Sequence, residues 1–173
     1  MNIKNNKRKR QSMEKITKAF IDMLQTQELH KISVTDICMR AGLNRTTFYA
    51  NYMDIYDLAD KVLDSLRDEV EKLYSEEITQ SFSIDGYEKI LNHIYENQIL
   101  YRSCFKLGME ELPILQYDIN AAAGYFDNQY IRYHIEFFRG GFNRIVKLWL
   151  EDGCKESPLT ISEIIHQEYK ARI

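Results

Sequence analysis

The sequence predicts an all-α fold, in which three short N-terminal helices are followed by a long fourth helix and a helical C-terminal half. Apolar residues recur at three- and four-residue spacing over most of the chain, which is the spacing of one face of an α-helix. Only seven Gly and two Pro occur in 173 residues, which is few for a fold rich in turns. A hydrophobic content of 45% is enough for a substantial core. This length suits one ordinary domain, or a small module joined to a larger one.

Charge is distributed unevenly along the chain, although the formal net charge is only −3. Residues 1–52 hold ten Lys/Arg and four Asp/Glu, whereas residues 53–173 hold thirteen and twenty-two. A basic segment next to an acidic one indicates two modules, and the basic module favours a nucleic-acid partner. We therefore predict a basic arm and helix-turn-helix module over residues 1–52 and a helical body over residues 53–173.

The first ten residues, Met1–Arg10, are basic and have few apolar side chains, which predicts a flexible arm. Two interpretations stay open, namely a solubilising tail and an arm that contacts phosphates or a minor groove. A first helix is predicted from about Gln11, with Ser12 near its cap, and it ends between Gln27 and His30. Its apolar face carries Met13, Ile16, Phe20, Met23 and Leu24.

Two short helices separated by a glycine turn are predicted next. Ser33 stands three residues before Asp36, a variant of the capping box that opens a helix. Gly42 suits the left-handed conformation that ends many helices. Asn44 is then placed to cap a third helix, over about Arg45–Asn51.

The third predicted helix fits a DNA major groove, because it is short, polar on its outer side and anchored by Phe48. Tyr49 offers a phenol to a phosphate, and Arg45 or Asn51 could reach base edges. A solvated helix face would show similar residue types, but the caps, the turn and the basic surroundings favour DNA. The predicted DNA contacts are Ser33, Thr35, Asn44, Arg45, Thr46, Thr47, Tyr49 and Asn51.

Asp54 is placed to cap a fourth helix that runs to about Glu77, with apolar residues along one face. A helix of this length could join a DNA-binding module to a separate body. Beyond it, the sequence predicts a break over Ser81–Asp85, a helix over Gly86–Phe105, a break over Gly108–Pro113 and helical or irregular structure over Ile114–Asn120.

The helix predicted over Tyr130–Asp152 carries apolar residues at alternating spacings of four and three, which is the spacing of a packing seam. The seam can pack within the same chain or against a second copy. Gly140 and Gly141 cost roughly 1 kcal/mol each in a helix interior, and they would let a neighbouring helix approach closely. Gly153 ends this helix and Pro158 suits the first turn of the last one. We favour a dimer interface made by Phe138, Phe142, Ile145, Trp149, Ile161 and Ile165.

Tyrosines are numerous in the C-terminal half. A pocket between helices lined by aromatic rings with a few polar tips would suit a small-molecule effector. The alternative is that the rings are core and only the hydroxyls are wet. The candidate pocket residues are Tyr101, Phe105, Met109, Tyr125 and His134.

Several functional classes are not expected. Cys38, Cys104 and Cys154 lack metal-binding spacing, so we expect reduced, buried thiols, no metal and no cofactor other than an effector. We find no P-loop, dinucleotide fingerprint, nucleophile elbow or zinc-protease motif, so we do not expect an enzyme. No apolar run could span a bilayer and none resembles a signal peptide, so we expect a cytoplasmic protein.

The stretch Val34–Leu58, V-T-D-I-C-M-R-A-G-L-N-R-T-T-F-Y-A-N-Y-M-D-I-Y-D-L, resembles the N-terminal signature of the TetR/AcrR family of transcriptional regulators. The resemblance covers roughly residues 9–60. Motifs between Tyr133 and Pro158, among them G-G-F and G-C-K-E-S-P, resemble the C-terminal domain of a subgroup that includes regulators of dihydroxyacetone kinase operons. This second resemblance covers about residues 75–170, more loosely than the first. The resemblance implies a homodimeric repressor that binds double-stranded DNA at a pseudo-palindromic operator and is modulated by a small molecule.

This chain departs from the family pattern just after the recognition helix. Two lysines that often follow it are here Met53 and Ile55, and a usual His is Asn51. Without these lysines the salt dependence of binding should be flatter, by about one unit for each phosphate that stays unneutralised. An alternative therefore stays open, a co-regulator of the same fold that acts through a protein partner and binds DNA weakly or not at all.

Overall fold

The computed structural model describes residues 3–75, 84–112 and 130–170. These residues form eight α-helices and no strand, which confirms the all-α prediction. No helix in these ranges has the length and apolar character needed to cross a membrane. The helices are α1 Ile3–Leu24, α2 Val34–Ala41, α3 Arg45–Tyr49, α4 Ile55–Ser75, α5 Ile84–Glu96, α6 Gln98–Lys106, α7 Ile131–Glu151 and α8 Pro158–Lys170, with a 3-10 turn at Leu29–Lys31.

The chain forms two compact units. The first unit contains Met1–Leu66 and Ile99–Met109, and the second contains Arg67–Gln98 and Glu110–Ile173. Helix α6 therefore belongs to the same unit as α1, α2 and α3. The predicted division into a DNA-binding module, residues 1–52, and a helical body, residues 53–173, concerns function and stays a prediction. The first compact unit is larger than the predicted DNA-binding module, because it also contains the start of α4 and nearly all of α6.

Helix α1 begins earlier than the sequence predicted. Residues 3–10 are helical and not a flexible arm, and Ser12 lies inside the helix, where its hydroxyl donates to the Arg8 carbonyl at 3.0 Å. The helix also ends earlier, at Leu24. Its apolar face is as predicted, because Ile16, Phe20 and the other large apolar residues that follow are buried.

Helix α6 is tied to the C-terminal end of α1 by hydrogen bonds from Gln25 and Lys106. The Gln25 side-chain amide donates to the Ser103 hydroxyl at 2.7 Å, and that hydroxyl donates to the Ile99 carbonyl at 2.7 Å. The Lys106 ammonium donates to the Leu24 carbonyl at 2.8 Å. Since the last turn of α1 has no basic residue of its own, Lys106 supplies the positive charge that favours a helix C-terminus.

The single helix predicted over Gly86–Phe105 is two helices. The two helices are separated at Asn97, whose backbone N–H donates to the carbonyls of His93 and Ile94. The Asn97 side chain also donates to the His93 carbonyl, at 2.9 Å. An Asn side chain that competes for helix carbonyls favours a helix end, and apolar periodicity alone does not reveal it.

The core of the second unit includes buried residues of α5, α7 and α8, and α5 packs on α8. Trp149 stacks on Tyr95 with ring centroids 6.0 Å apart, and its indole N–H donates to the Glu156 carbonyl at 3.0 Å. The buried Asn143 amide accepts from the Leu112 N–H at 2.8 Å and donates to the Arg139 carbonyl. Large apolar side chains buried here include Ile90, Leu91, Ile94, Phe138, Phe142, Val146, Leu150, Ile161 and Ile165.

Helix α7 ends within one residue of the prediction. Gly153 has φ +82°, where a side chain would be strained. The N–H groups of Gly153 and Cys154 bond to the carbonyls of Leu150 and Trp149, at 3.2 and 2.8 Å. This is the Schellman pattern that satisfies the last carbonyls of a helix.

Candidate nucleic-acid interface

Helix α2 begins at a capping box. The Ser33 hydroxyl accepts from the Asp36 N–H at 3.1 Å and donates to the Asp36 carboxylate at 2.5 Å. Ser33 itself is in extended conformation, as an N-cap must be. The predicted start of this helix is thus confirmed.

The turn between α2 and α3 is set by Gly42. Its φ of +66° lies in the left-handed region, which glycine reaches without strain from a Cβ atom. The N–H groups of Gly42 and Leu43 bond to the carbonyls of Met39 and Cys38, at 3.3 and 2.9 Å. This second Schellman pattern fixes the direction in which the chain enters α3.

Helix α3 is held at its start and along its inner face. The Asn44 side-chain oxygen accepts from both the N–H and the hydroxyl of Thr47, each at 2.8 Å. Phe48 is fully buried, and its ring meets that of Tyr52 with centroids 5.4 Å apart. The cap and the apolar anchor predicted for this helix are both confirmed, which leaves its opposite side exposed.

Replacing Asn44 by Ala should lower the free energy of unfolding by about 1 kcal/mol, because two N-terminal hydrogen bonds lose their acceptor. Urea denaturation followed by circular dichroism measures this change. Asn44→Asp preserves the acceptor and should stay within a few tenths of a kcal/mol of the wild type. Equal destabilisation by both substitutions would contradict the capping role.

Arg45 and Tyr49 form a pair on the exposed side of α3. The Arg45 guanidinium lies 5.8 Å from the centre of the Tyr49 ring and donates to the Tyr49 hydroxyl at 3.3 Å. This hydrogen bond raises the pKa of Arg45 above its ordinary value. Tyr49 is 50% exposed. A guanidinium supported by a ring keeps its remaining donors available for an acceptor such as a guanine edge or a phosphate.

The other predicted DNA contacts lie around this pair. Thr46 is exposed next to Arg45, and Ser33 and Thr35 are exposed at the start of α2. Thr47 is half-buried, since its hydroxyl serves the Asn44 cap. The structure thus places the predicted polar side chains on neighbouring turns of two short helices.

Asn51 is not the outward-pointing side chain that the sequence suggested. It is half-buried, and its amide nitrogen donates to the Thr47 carbonyl at 2.8 Å. Its side-chain oxygen is buried without a hydrogen-bond partner. In this geometry Asn51 closes the last turn of α3 and would have to rotate to contact a base.

Lys61 on α4 is a residue of this site that the sequence did not reveal. Its ammonium donates to the Asn51 carbonyl at 3.0 Å and to the Asp57 carboxylate at 2.9 Å, and it lies 5.1 Å from the centre of the Tyr52 ring. Asp57 also accepts from the Met53 N–H at 2.8 Å. The bond from Lys61, then that from Met53, holds the pKa of Asp57 below its usual range.

This arrangement joins the end of α3 to the first turns of α4. Asp54 caps α4 as predicted, because its carboxylate accepts from the N–H groups of Tyr56 and Asp57 at 2.8 and 2.9 Å. Met53, between the two helices, is 79% exposed. The only sequence clue to Lys61 is its spacing of four from Asp57, which many surface pairs share.

The predicted effector residues are divided between the two units. Tyr101, Phe105 and Met109 belong to the first unit, where Tyr101 is fully buried and the other two are half-buried. His134 is exposed on α7 in the second unit. Tyr125 lies outside the described residues. A pocket formed by these five side chains therefore stays a prediction.

The predicted dimer residues lie mainly in the core of their own unit. Phe138, Phe142, Trp149, Ile161 and Ile165 are each at most 5% exposed, and Ile145 is half-buried. Packing of the α7 seam within its own chain was one of the two possibilities that the sequence left open. The periodicity of apolar residues does not distinguish it from packing against a second copy. Buried side chains of this kind leave little area for a partner.

A second apolar stripe runs along the exposed side of α7. We call Tyr133, Phe137, Gly140, Gly141 and Leu148 the outer stripe. Tyr133 and Phe137 are 77% and 63% exposed, and Leu148 is exposed as well. A Cβ atom added at either glycine would meet nothing within 4 Å. Spacings of four, three and seven or eight residues put these positions on one helical face.

The cysteines are buried free thiols, as the sequence predicted. Burial raises the pKa of the Cys104 thiol to about 12. In the part of the chain that the structure describes, no group of three or more His, Cys, Asp or Glu side chains could hold a metal ion.

The second half of the chain matches a known family. Residues 82–169 match the TetR-type family described as the C-terminal region of transcriptional regulators, about half of the chain. The HTH-type dhaKLM operon transcriptional activator DhaS of Lactococcus lactis subsp. lactis (strain IL1403) is 28% identical over 109 residues, or 60% of this chain. That match spans about half of the relative, 54% of its length.

Two solved structures share the fold. The dihydroxyacetone kinase operon activator DhaS superposes with a TM-score of 0.59 at 18% identity, over 94% of this chain and 96% of that chain. The fatty acid degradation regulator FadR from Bacillus halodurans superposes with a TM-score of 0.63 at 16% identity, over 90% and 93% of the two chains. At these identities the likeness shows the fold alone.

Proposed function

Because the chain belongs to the TetR-type family of transcriptional regulators defined by this C-terminal region, we propose that it regulates transcription by binding DNA in a sequence-specific manner. The observation that carries the proposal is the exposed Arg45–Tyr49 pair on α3, a helix that is capped by Asn44 and anchored by Phe48. A short, rigid helix whose exposed side carries polar and basic side chains fits into a DNA major groove.

In this proposal α3 enters the major groove and α2 lies across the DNA backbone. Arg45 and Thr46 contact base edges, and the Tyr49 hydroxyl donates to a phosphate. The exposed hydroxyls of Ser33 and Thr35, at the N-terminus of α2, contact a flanking phosphate. Lys61 and Asp57 keep the end of α3 in place while the groove is occupied.

We propose that the protein acts as a homodimer on a pseudo-palindromic operator, with half-sites about 34 Å apart, one helical turn of DNA. The outer stripe of α7 is the surface that we assign to the second copy. Its exposed rings supply apolar area, and Gly140 and Gly141 allow the partner helix to approach closely. A two-fold interface uses the same patch on both subunits, so one stripe suffices.

A small-molecule effector is the proposed signal. Helix α6 is the element through which it would act on the first unit, because Ser103 and Lys106 bond to residues at the end of α1. An effector that displaced α6 or tilted α4 would change the separation of the two recognition helices and so the operator affinity. This step fails if no ligand changes either quantity.

We further propose repression as the mode of regulation, the cytoplasm as the location and no enzymatic activity. A dimer that covers an operator excludes other proteins from the same DNA, which is the physical basis of repression. The relative named above is an activator of the dhaKLM operon. Transcription of a reporter with and without the protein therefore decides the sign.

Selection of bound sequences from a random duplex pool tests the proposed function. Enrichment of an inverted repeat with half-sites about one helical turn apart is the expected result. Binding without enrichment, and with strong salt sensitivity only, would favour the alternative of a co-regulator that acts through a protein partner. The exposed Met53 supports this alternative, because it stands where the family pattern described above has a lysine.

Tyr49→Phe and Thr46→Ala should each weaken operator binding about tenfold, the equivalent of about 1.4 kcal/mol. The first removes the hydroxyl that contacts a phosphate, and the second removes a polar contact in the groove. Fluorescence anisotropy with the selected duplex measures the change. Sedimentation and circular dichroism should show unchanged dimerisation and helicity. If both variants bind like the wild type, α3 is not the recognition helix.

A further inference from the structure

We propose that the N-terminal turns of α1 form a second contact with the same DNA, on the backbone flanking each half-site, centred on Lys9. This inference rests on the proposed DNA-binding function and adds a separate surface to it. The surface, called the basic collar below, consists of Arg8, Lys9 and Arg10.

The basic collar extends beyond the packed part of the first unit. All three side chains are exposed, and the first buried residue of α1 among those described is Ile16. At 1.5 Å per residue, Lys9 stands about 10 Å further along the helix axis than Ile16. The sequence predicted a flexible arm here, whereas a helix holds these cations at fixed positions relative to the first unit.

Little within the described part of the protein neutralises the basic collar. Arg10 lies 3.4 Å from Glu14, and no ion pair among the described residues involves Lys7, Arg8 or Lys9. The collar therefore carries an excess of positive charge, and a polyanion is the partner whose charge fits that excess.

The angular position of each cation around α1 decides which of them can contact DNA that is bound to α3. Lys9 precedes Met13 by four residues and Ile16 by seven, so it continues the face of α1 that packs on α2. Lys9 therefore lies on the side of α1 where the helix-turn-helix lies. Arg8 and Arg10 flank this face, about 100° away on either side, and Lys7 lies about 160° away. DNA bound to α3 would meet Lys9 and its flanks before Lys7.

Duplex DNA is the occupant that these observations support, since the basic collar and α3 belong to one compact unit. Each phosphate neutralised by a Lys or Arg contributes about −0.9 to the slope of log affinity against log salt. The basic collar should therefore be visible as salt dependence and not as base preference.

The test uses the full-length protein and the duplex selected from the random pool, extended by about 10 base pairs, one helical turn, on each side. Affinity is measured by anisotropy from 50 to 200 mM salt for the wild type, Lys9→Gln, Arg8→Gln with Lys9→Gln, and Lys7→Gln. Lys and Gln have similar helix propensities, so the fold is kept. Lys7→Gln is the matched control for charge.

The proposed homodimer carries one basic collar on each copy, so the double variant removes four cations. It should flatten the slope by about 3.6 units, which makes its affinity loss over that salt range about 150-fold smaller than that of the wild type. Lys9→Gln removes two cations and should flatten the slope by about 1.8 units, and Lys7→Gln should leave it unchanged. On the duplex trimmed to the inverted repeat, the wild type and the double variant should bind alike.

Each of the other outcomes would overturn a specific part of the proposal. A wild-type slope in the double variant, with sequence selection intact, overturns the basic collar and leaves the proposed function standing. Equal flattening by Lys7→Gln and Lys9→Gln overturns the centring on Lys9. If the wild type selects no sequence from the pool, the proposed function fails and the basic collar fails with it.

Discussion

Replacing Phe48 by Ala should lower the free energy of unfolding by about 3–5 kcal/mol, the usual cost of deleting a buried phenylalanine ring. Phe48 is fully buried and is the apolar anchor of a helix only five residues long. Such a short helix has almost no stability of its own, so the loss of its anchor should release α3. Urea denaturation followed by circular dichroism measures the stability, and operator binding should be lost in parallel.

Tyr56→Ala is the control for this prediction. It removes an aromatic ring from a position that is 56% exposed and has no part in the proposed interfaces. Substitutions at exposed positions usually change stability by less than about 0.5 kcal/mol. A loss at Phe48 as small as that at Tyr56 would contradict the anchoring role, and with it the rigidity that sequence recognition by α3 requires.

Replacing Phe137 by Glu should separate the proposed dimer and lower operator affinity by about 10²–10⁴-fold. A two-fold interface brings the two copies of a residue near each other, so two like-charged carboxylates would be buried at once. A monomer binds one half-site and loses the gain that comes from a tethered second site. Sedimentation velocity measures the oligomeric state, and anisotropy measures the affinity.

Ile99→Glu controls for the added charge. Ile99 on α6 is 52% exposed and belongs to the first unit, whereas the outer stripe of α7 belongs to the second unit. The same change of an apolar side chain to a carboxylate should leave the dimer intact there. A dimer that survives Phe137→Glu would exclude the outer stripe as the interface.

Local signals make the helix-turn-helix predictable. Ser33 and Asn44 are recognisable as caps because each accepts a hydrogen bond from a residue three positions later, and Gly42 because few residues adopt a positive φ. Such features depend on neighbours in sequence, so a pattern of residue types is enough. The buried anchor Phe48 follows from the same short segment.

Contacts between distant residues are not predictable in this way. Lys61 meets the Asn51 carbonyl only because α4 leaves α3 at a particular angle, which spacing does not encode. Likewise, the seam that includes Phe142 and Trp149 has the period of an interface and of a core, and the burial of these side chains is visible only in the folded structure. The helix over residues 3–10 escapes prediction because its side chains lack an apolar pattern.

The membership of α6 in the first unit has a consequence for protein engineering. A chimera that transplanted only residues 1–66 onto another regulator would leave the Leu24 carbonyl without Lys106 and the Gln25 amide without Ser103. The transplanted segment would also lack the fully buried Tyr101 in its core. Specificity should therefore be exchanged by moving two segments together, residues 1–66 and 99–109, or by substitutions confined to the outward positions of α3.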